Sequence, residues 1–386
     1  MAVVFDKDLD TTKLLFAYNN NIVRFKSDDL VKIPKTAQLI GLGIDVLLYP
    51  HPNGSFYFNF KEYVSALINT KNFIDDTPYD LDGLDDESFT YDVSNGCYLQ
   101  GDIVFKINFT DDTFESTVKN LSFIAGAEQL EDYKKKEILF QANKLIVLSP
   151  VADRTNNTTY LKYWEGYPFE FSFYNRDFPT SAFKIKNNSN GLDYEFTSKG
   201  KVTSMFLADG RTDVTIEDFL PLTLGQNNCQ FLIDDVNQNL NLIIDKADTD
   251  CGIYVKFLNK YGRFNYWLFS KNYFRNRSSK YLAELENDFE DLGDTISPTL
   301  QVGKISDGTI KCAALKIDEN QKRILEGIID SPKILMFTGD RFSKSDLTDW
   351  LEVRLKTTTF SVESPNKKIH SFYLELDLPA RNTITL

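Results

Sequence analysis

The chain has two histidines, His51 and His370, so any Ser-His-Asp or Cys-His site must be built around one of them. His51 lies between Pro50 and Pro52 in a turn, and His370 opens an apolar run; no G-x-S-x-G elbow accompanies either. These positions read as a turn residue and a strand-edge residue, and no catalytic residue is assigned. Cys97, Cys229, Cys251 and Cys312 are scattered without C-x-x-C spacing, so they carry no zinc signature. Free, mostly buried thiols in a reducing compartment are expected. Cys229 and Cys251 meet only if their strands are neighbours. Gly41-Leu-Gly43 lacks the third glycine and the basic residue of a phosphate-binding loop and reads as structural.

Carboxylates are plentiful, but a glycosidase needs two of them facing each other across a sugar, and abundance does not supply that placement. The densest run is residues 75–92, with Asp75, Asp76, Asp80, Asp82, Asp85, Asp86, Glu87 and Asp92 and no base. Such a run suits a solvated, self-repelling loop or a cation site. In Asp80-Leu-Asp-Gly-Leu-Asp the glycine comes too early for an EF-hand. No metal ligand and no cofactor is assigned.

Aromatic residues are the other candidates. Tyr160, Tyr163, Trp164 and Tyr167 crowd a turn before Pro168, where rings could stack on a sugar or pack in a core or subunit interface. Residues 251–270 read as a complete β-hairpin. Tyr254, Phe257 and Leu258 end one run, and Asn259-Lys260-Tyr261-Gly262 makes the turn with Gly262 at positive φ. Phe264, Tyr266, Trp267 and Phe269 form the return strand. The candidate assembly or packing residues are thus Tyr163, Trp164, Tyr167, Phe264, Tyr266, Trp267 and Phe269.

The elements around these residues are mostly short strands. With 31 Phe and 19 Tyr among 386 residues, the composition favours strands and large interfaces. The expected fold class is mainly β, with several β-sandwich or barrel-like domains and a few short helices. Three segments are expected: a β-rich domain over 1–150 with the acidic loop, a central β domain over 151–270, and an α+β segment over 271–386. Pro50 to Gly54 reads as a turn whose Asn-Gly pair suits type I′. Ala37 to Tyr49 reads as one or two buried strands, and 169–174 as a cleanly alternating one. Helices are expected over 61–69, with Tyr63, Ala66 and Leu67 on one face, and over 127–140 and 281–292. A fourth is expected over 318–330, with Ile324, Leu325 and Ile328 inward.

The net charge of −13 disfavours sequence-specific nucleic-acid binding and docking on an anionic membrane; it reads first as a source of solubility and does not forbid a channel through which DNA slides. No signal peptide and no apolar run of about 18 residues is read, so no membrane partner is expected.

Four pieces carry a resemblance. They are Tyr49-Pro50 to Phe60 with the following helix, Tyr163-Trp-Glu-Gly-Tyr-Pro-Phe169, Tyr254-Val-Lys-Phe-Leu-Asn-Lys-Tyr-Gly-Arg-Phe-Asn-Tyr-Trp-Leu-Phe269, and Leu325 to Phe337 followed by Trp350. Together they resemble virion structural proteins of the tail or tail-hub type from crAss-like and related Bacteroidetes-infecting tailed phages. The resemblance implies a non-enzymatic tail component made in the host cytoplasm and located in the virion. It also implies a sixfold or twelvefold ring of identical subunits that contacts other tail proteins. Family members commonly carry a Trp and a Gly-Gly turn in the hairpin, where this chain has Phe257 and Tyr261-Gly262. A receptor- or glycan-binding module at the tail tip and a polysaccharide depolymerase are the competing expectations.

Overall fold

Alternating apolar residues close most of this chain into strands. The computed structural model describes residues 2–384 apart from 71–73, 76, 78–89, 131–144, 154–156, 179–181, 212–219, 249, 272, 287–290, 292, 295 and 358–368. The chain is mainly β, arranged as several packed sheets of β-sandwich character with a few short helices.

The N-terminal part contains β1 (Val3–Lys7), β2 (Leu14–Phe16), β3 (Ile22–Ser27), β4 (Pro34–Gly41), β5 (Ile44–Leu48) and β6 (Phe56–Asn59). Then come α1 (Lys61–Asn69), β7 (Thr90–Asp92), α2 (Ser94–Cys97), β8 (Tyr98–Phe109) and β9 (Phe114–Ile124). A three-stranded sheet β1-β3-β6 faces a five-stranded sheet β2-β9-β8-β4-β5 across a core rich in phenylalanine, including Phe25, Phe56, Phe60, Phe105 and Phe123. In α1 the buried face is Val64 and Ile68, one turn apart, while Tyr63 and Ala66 are exposed. The expected face was therefore displaced by one position. Residues 37–49 form two strands rather than a fully buried run, since Leu47 and Tyr49 are exposed. Gly54 has φ +75 but Asn53 does not share the positive φ that type I′ demands at both central residues. Residues 51–55 make a wider loop instead, closed by His51 N–H donating to the Ser55 carbonyl at 2.8 Å.

The central part contains β10 (Leu145–Val147), β11 (Val151–Asp153), β12 (Thr158–Trp164), β13 (Pro168–Asn175), β14 (Ala182–Asn187), β15 (Leu192–Thr197), β16 (Val202–Asp209), β17 (Gly225–Ile233) and β18 (Val236–Ala247). They build a four-stranded sheet β10-β13-β16-β7 and a six-stranded sheet β11-β12-β18-β17-β14-β15. β7, from the N-terminal part, is thus an edge of a central sheet.

The C-terminal part contains β19 (Gly252–Leu258), β20 (Phe264–Ser270), β21 (Phe274–Tyr281), β22 (Glu284–Glu286), β23 (Thr299–Gln301) and β24 (Lys304–Ile317). It ends with α3 (Glu319–Glu326), β25 (Ile334–Phe337), β26 (Trp350–Leu355) and β27 (His370–Asp377). The expected helix over 281–292 is not formed across 281–286. Tyr281 pairs with Lys304 and Glu284–Glu286 with Thr299–Gln301, so ladder hydrogen bonds override the local helical pattern. α3 does form, capped by Asp318 and Gln321 in a reciprocal box, with Ile324, Leu325 and Ile328 buried. The expected helix over 127–140 falls from residue 131 onward outside the described residues, as does most of the acidic run 75–92.

The hairpin β19–β20 joins the seven-stranded sheet β20-β19-β25-β26-β27-β24-β21, so this sheet runs across the expected boundary at residue 270. Its tip enters the N-terminal core. Tyr261 is 1% exposed and its ring lies 6.0 Å from that of Phe16. Gly262 has φ +74, and a Cβ there would lie 1.9 Å from the Ala125 carbonyl oxygen, so only glycine fits this approach. Ala127 N–H donates to the Lys260 carbonyl at 2.8 Å, which fixes the tip in place.

Candidate functional site

The aromatic residues singled out in the sequence meet in one place. β12, β13, β19, β20, β25 and β26 bring Trp164, Tyr167, Tyr266 and Trp350 around Tyr254, with Tyr163 and Trp267 in the same core. Trp164 and Trp267 meet edge-on with centroids 5.0 Å apart, and Tyr167 lies 4.5 Å from Tyr254. The Tyr254 hydroxyl donates to the Pro168 carbonyl at 2.7 Å. Phe264 and Phe269 are buried on the same return strand, and all seven candidate residues are 8% exposed or less. Their surface is spent on packing within one chain, and Tyr160, at 1% exposure, does not open to a groove either. Burial pushes the Tyr167 hydroxyl up to about 12.

Beside this aromatic cluster is a set of buried charges that the sequence reading missed. β13 was expected to alternate between core and solvent. It is instead a central strand covered on both faces, so its polar positions Glu170 and Ser172 are buried. The hairpin supplies Lys256 and Arg263, and the N-terminal part supplies Asp75 and Tyr91. Lys256, 0% exposed, is paired with Asp75, and its ammonium lies 4.3 Å from the Trp350 ring centroid and 5.0 Å from that of Phe264. Arg263 donates to Ser172 Oγ at 2.9 Å and Ser204 Oγ at 3.1 Å, with Glu170 Oε1 3.7 Å from its Nη2. The Tyr91 hydroxyl donates to Glu170 Oε2. Asn259 closes the turn side: its amide donates to the Leu148 carbonyl and to Asn265 Oδ1, each at 2.9 Å. The available signal was a charge at Lys256, Arg263 and Glu170 inside otherwise apolar or aromatic runs.

Burial raises the Glu170 carboxyl, opposed by the charges of Arg263 and Lys256. Burial likewise draws the Lys256 ammonium down, opposed by Asp75 and Glu170. For Asp75, burial acts to raise the carboxyl, but the charge and hydrogen bond of Lys256, with Thr77, hold it below its ordinary value. Because folded Asp75 titrates below its unfolded value, its ionised form favours the folded state above the ordinary carboxylate range. That contribution is lost as pH falls through the range. The stability difference between the unaltered protein and Asp75→Asn should therefore be largest near neutrality and shrink between about pH 5 and pH 2. Urea unfolding across pH measures it, and parallel profiles for the two proteins would contradict the assignment.

The arrangement ties three parts of the chain together, through Asp75 and Tyr91, Glu170, and Lys256 and Arg263. A cavity of about 10 Å³, the size of one water, lies against Glu170, Ser172, Asn265 and Ile324. A larger hollow of about 310 Å³ is open on the outer face of the six-stranded sheet, lined by Thr158, Asn188, Asn228, Gln230, Asn241 and Ile243. The histidines lie apart from both. His51 is exposed in its loop, and His370 Nε2 lies 3.3 Å from Glu319 Oε2. Among the described residues, no three of His, Cys, Asp and Glu gather as a metal site, and no helix is long and apolar enough to cross a membrane. Cys97, Cys229 and Cys312 are buried free thiols, and Cys251 is a free, exposed one.

No known family matches the sequence, and no curated protein does. Among solved structures, the fibronectin(III)-like modules of Clostridium thermocellum CbhA share 6% identity, over 64% of this chain and 94% of theirs, with a TM-score of 0.19. The ectodomain of the teleost fish polymeric Ig receptor shares 7% identity, over 64% of this chain and 100% of its own, at 0.21. A tetra-tandem repeat from the extending region of a large adhesion protein shares 11%, over 98% of this chain and 73% of its own, at 0.21. Scores this low carry no argument about function.

Proposed function

We propose that the chain is a non-enzymatic structural component of a bacteriophage tail, a ring-forming hub subunit that joins tail parts around the DNA path. The observation that carries this reading is β21. It is the terminal strand of the largest sheet, and all eight of its residues are exposed. β22 and β23 prolong the β21–β24 ribbon, with Phe274, Tyr281, Leu285 and Leu300 each about half exposed or more. A two-stranded ribbon with open apolar side chains is marginal alone in water and gains stability when another surface covers it. Assembly with further copies supplies such a surface, and the resemblance in the hairpin and the 163–169 turn supports a tail as its setting. The buried charge network and the inserted hairpin tip suit a part that must hold its shape under load.

Size-exclusion chromatography with multi-angle scattering, followed by negative-stain imaging, tests this. Discrete closed rings are expected, and a chain that stays monomeric at high concentration would overturn the reading. A second reading, a glycan-binding module at the tail tip, is favoured by the amide-lined hollow, whose donors and acceptors match sugar hydroxyls. Saturation transfer from the protein to neutral oligosaccharides, abolished by Asn228→Ala, would support it. The depolymerase reading requires two facing carboxylates in a deep cleft, and neither hollow described above supplies such a pair.

A further inference from the structure

Among the described residues the two largest sheets each end in an edge strand with no strand beyond it, and the two edges carry opposite charge. β21 ends the seven-stranded sheet and β15 ends the six-stranded sheet. Residues 271–281 hold Lys271, Arg275, Arg277 and Lys280 and no acid, within a chain of net charge −13. On β15, Phe196 is buried and Asp193 and Glu195 are exposed, so the two acids share the outward face at a spacing of two. Arg275 and Arg277 share one face of β21 at the same spacing. Behind the acids, β14 sets Lys186 opposite Asp193 and Lys184 opposite Glu195, but the Lys184 ammonium is bonded to Asp235 at 2.9 Å. Among the described residues, neither Asp193 nor Glu195 is in a salt bridge, while Arg277 makes one hydrogen bond, to Ser306 Oγ at 3.0 Å.

We infer that β21 of one copy adds to β15 of a second copy, extending the six-stranded sheet across the junction. The inference rests on the reading of the chain as an assembly subunit and names the surfaces that assemble. Antiparallel addition sets Arg277 against Asp193 and Arg275 against Glu195, since both pairs repeat every second residue. Backbone hydrogen bonds supply affinity that does not depend on side chains, and the cross-strand ion pairs fix register and partner. Because the two edges differ, the contact is heterologous. Each copy offers one edge and receives the other, which generates a closed ring when the rotation closes. The occupant is a second copy because this chain itself presents an acidic edge whose charges repeat at the matching spacing. Without the partner, the same charges keep both edges from pairing indiscriminately.

Charge reversal tests the inference. The variants R275E/R277E and D193R/E195R alter only exposed side chains, and circular dichroism and thermal unfolding check that they remain folded. Each should raise the concentration needed for self-association by about tenfold or more at low salt, as expected when like charges face each other in an interface. The quadruple variant with both reversals should restore assembly. If the unaltered chain forms rings and neither reversal weakens them, assembly uses another surface and this inference fails while the proposed function stands. Failure of the quadruple variant to recover overturns the pairing. A chain that never self-associates overturns both. Duplex DNA binding that R275E/R277E abolishes while rings persist would assign the basic strand to nucleic acid and also overturn it.

Discussion

Arg263→Met should lower the unfolding free energy by about 3–5 kcal/mol, because it removes one partner from a buried charge network and leaves the other. Glu170 is 2% exposed, and without Arg263 its carboxylate keeps the Tyr91 hydroxyl and the charge of Lys256 but not the guanidinium that offsets its burial. The two serine hydroxyls would also lose the guanidinium as donor. The decisive measurement is a cycle with Glu170→Gln. If the two charges act as a pair, the double variant should be less destabilised than the sum of the singles, since neither charge is then buried alone. Additive losses in urea unfolding would show that Arg263 acts only through its packing and its serine bonds.

Trp267→Ala is the second large effect, with an expected loss of about 3–5 kcal/mol. The indole is 3% exposed and lies edge-on to Trp164 at 5.0 Å, where truncation leaves a cavity that rigid neighbouring rings cannot collapse to fill. The loss should appear in the isolated chain at low concentration. A monomer of undiminished stability with failed ring formation would instead put Trp267 at a subunit contact, against its burial. The contrast with β21 is direct: substitutions there should change association and leave unfolding of the monomer almost unaltered.

Strand content, the hairpin at 251–270 and the C-terminal helix were legible because each has a local cause. Alternation sets the strands, Gly262 permits the turn, and Asp318 with Gln321 caps α3. The helix expected over 281–292 fails across 281–286: YLAELE has helical propensity, but its fate depends on hydrogen bonds to residues 299–304. The charge network was illegible for a related reason. A polar residue at every second position of 169–174 looks like a solvated face, and only the sheet topology reveals that β10 and β16 flank β13 and that other elements cover it. Asp75 and Tyr91, Glu170, and Lys256 with Arg263 come from three distant stretches of the sequence, and no spacing rule joins them. The aromatic cluster at 160–167 showed its composition but not its direction, since rings that pack inward and rings that stack on sugars share one pattern.

The seat of Tyr261 in the N-terminal core has a consequence for how the protein is made. A ribosome releases the N-terminal strands first, yet the space beside Phe16, Ala125 and Gly126 is filled by a residue translated long after them. Until the hairpin emerges, the nascent N-terminal sheets expose that apolar gap and the backbone groups that later bond Lys260. Completion of the first part of the chain is therefore coupled to synthesis of the last third. A fragment ending before the hairpin should be prone to aggregate, and the full-length product should acquire protease resistance in one late step.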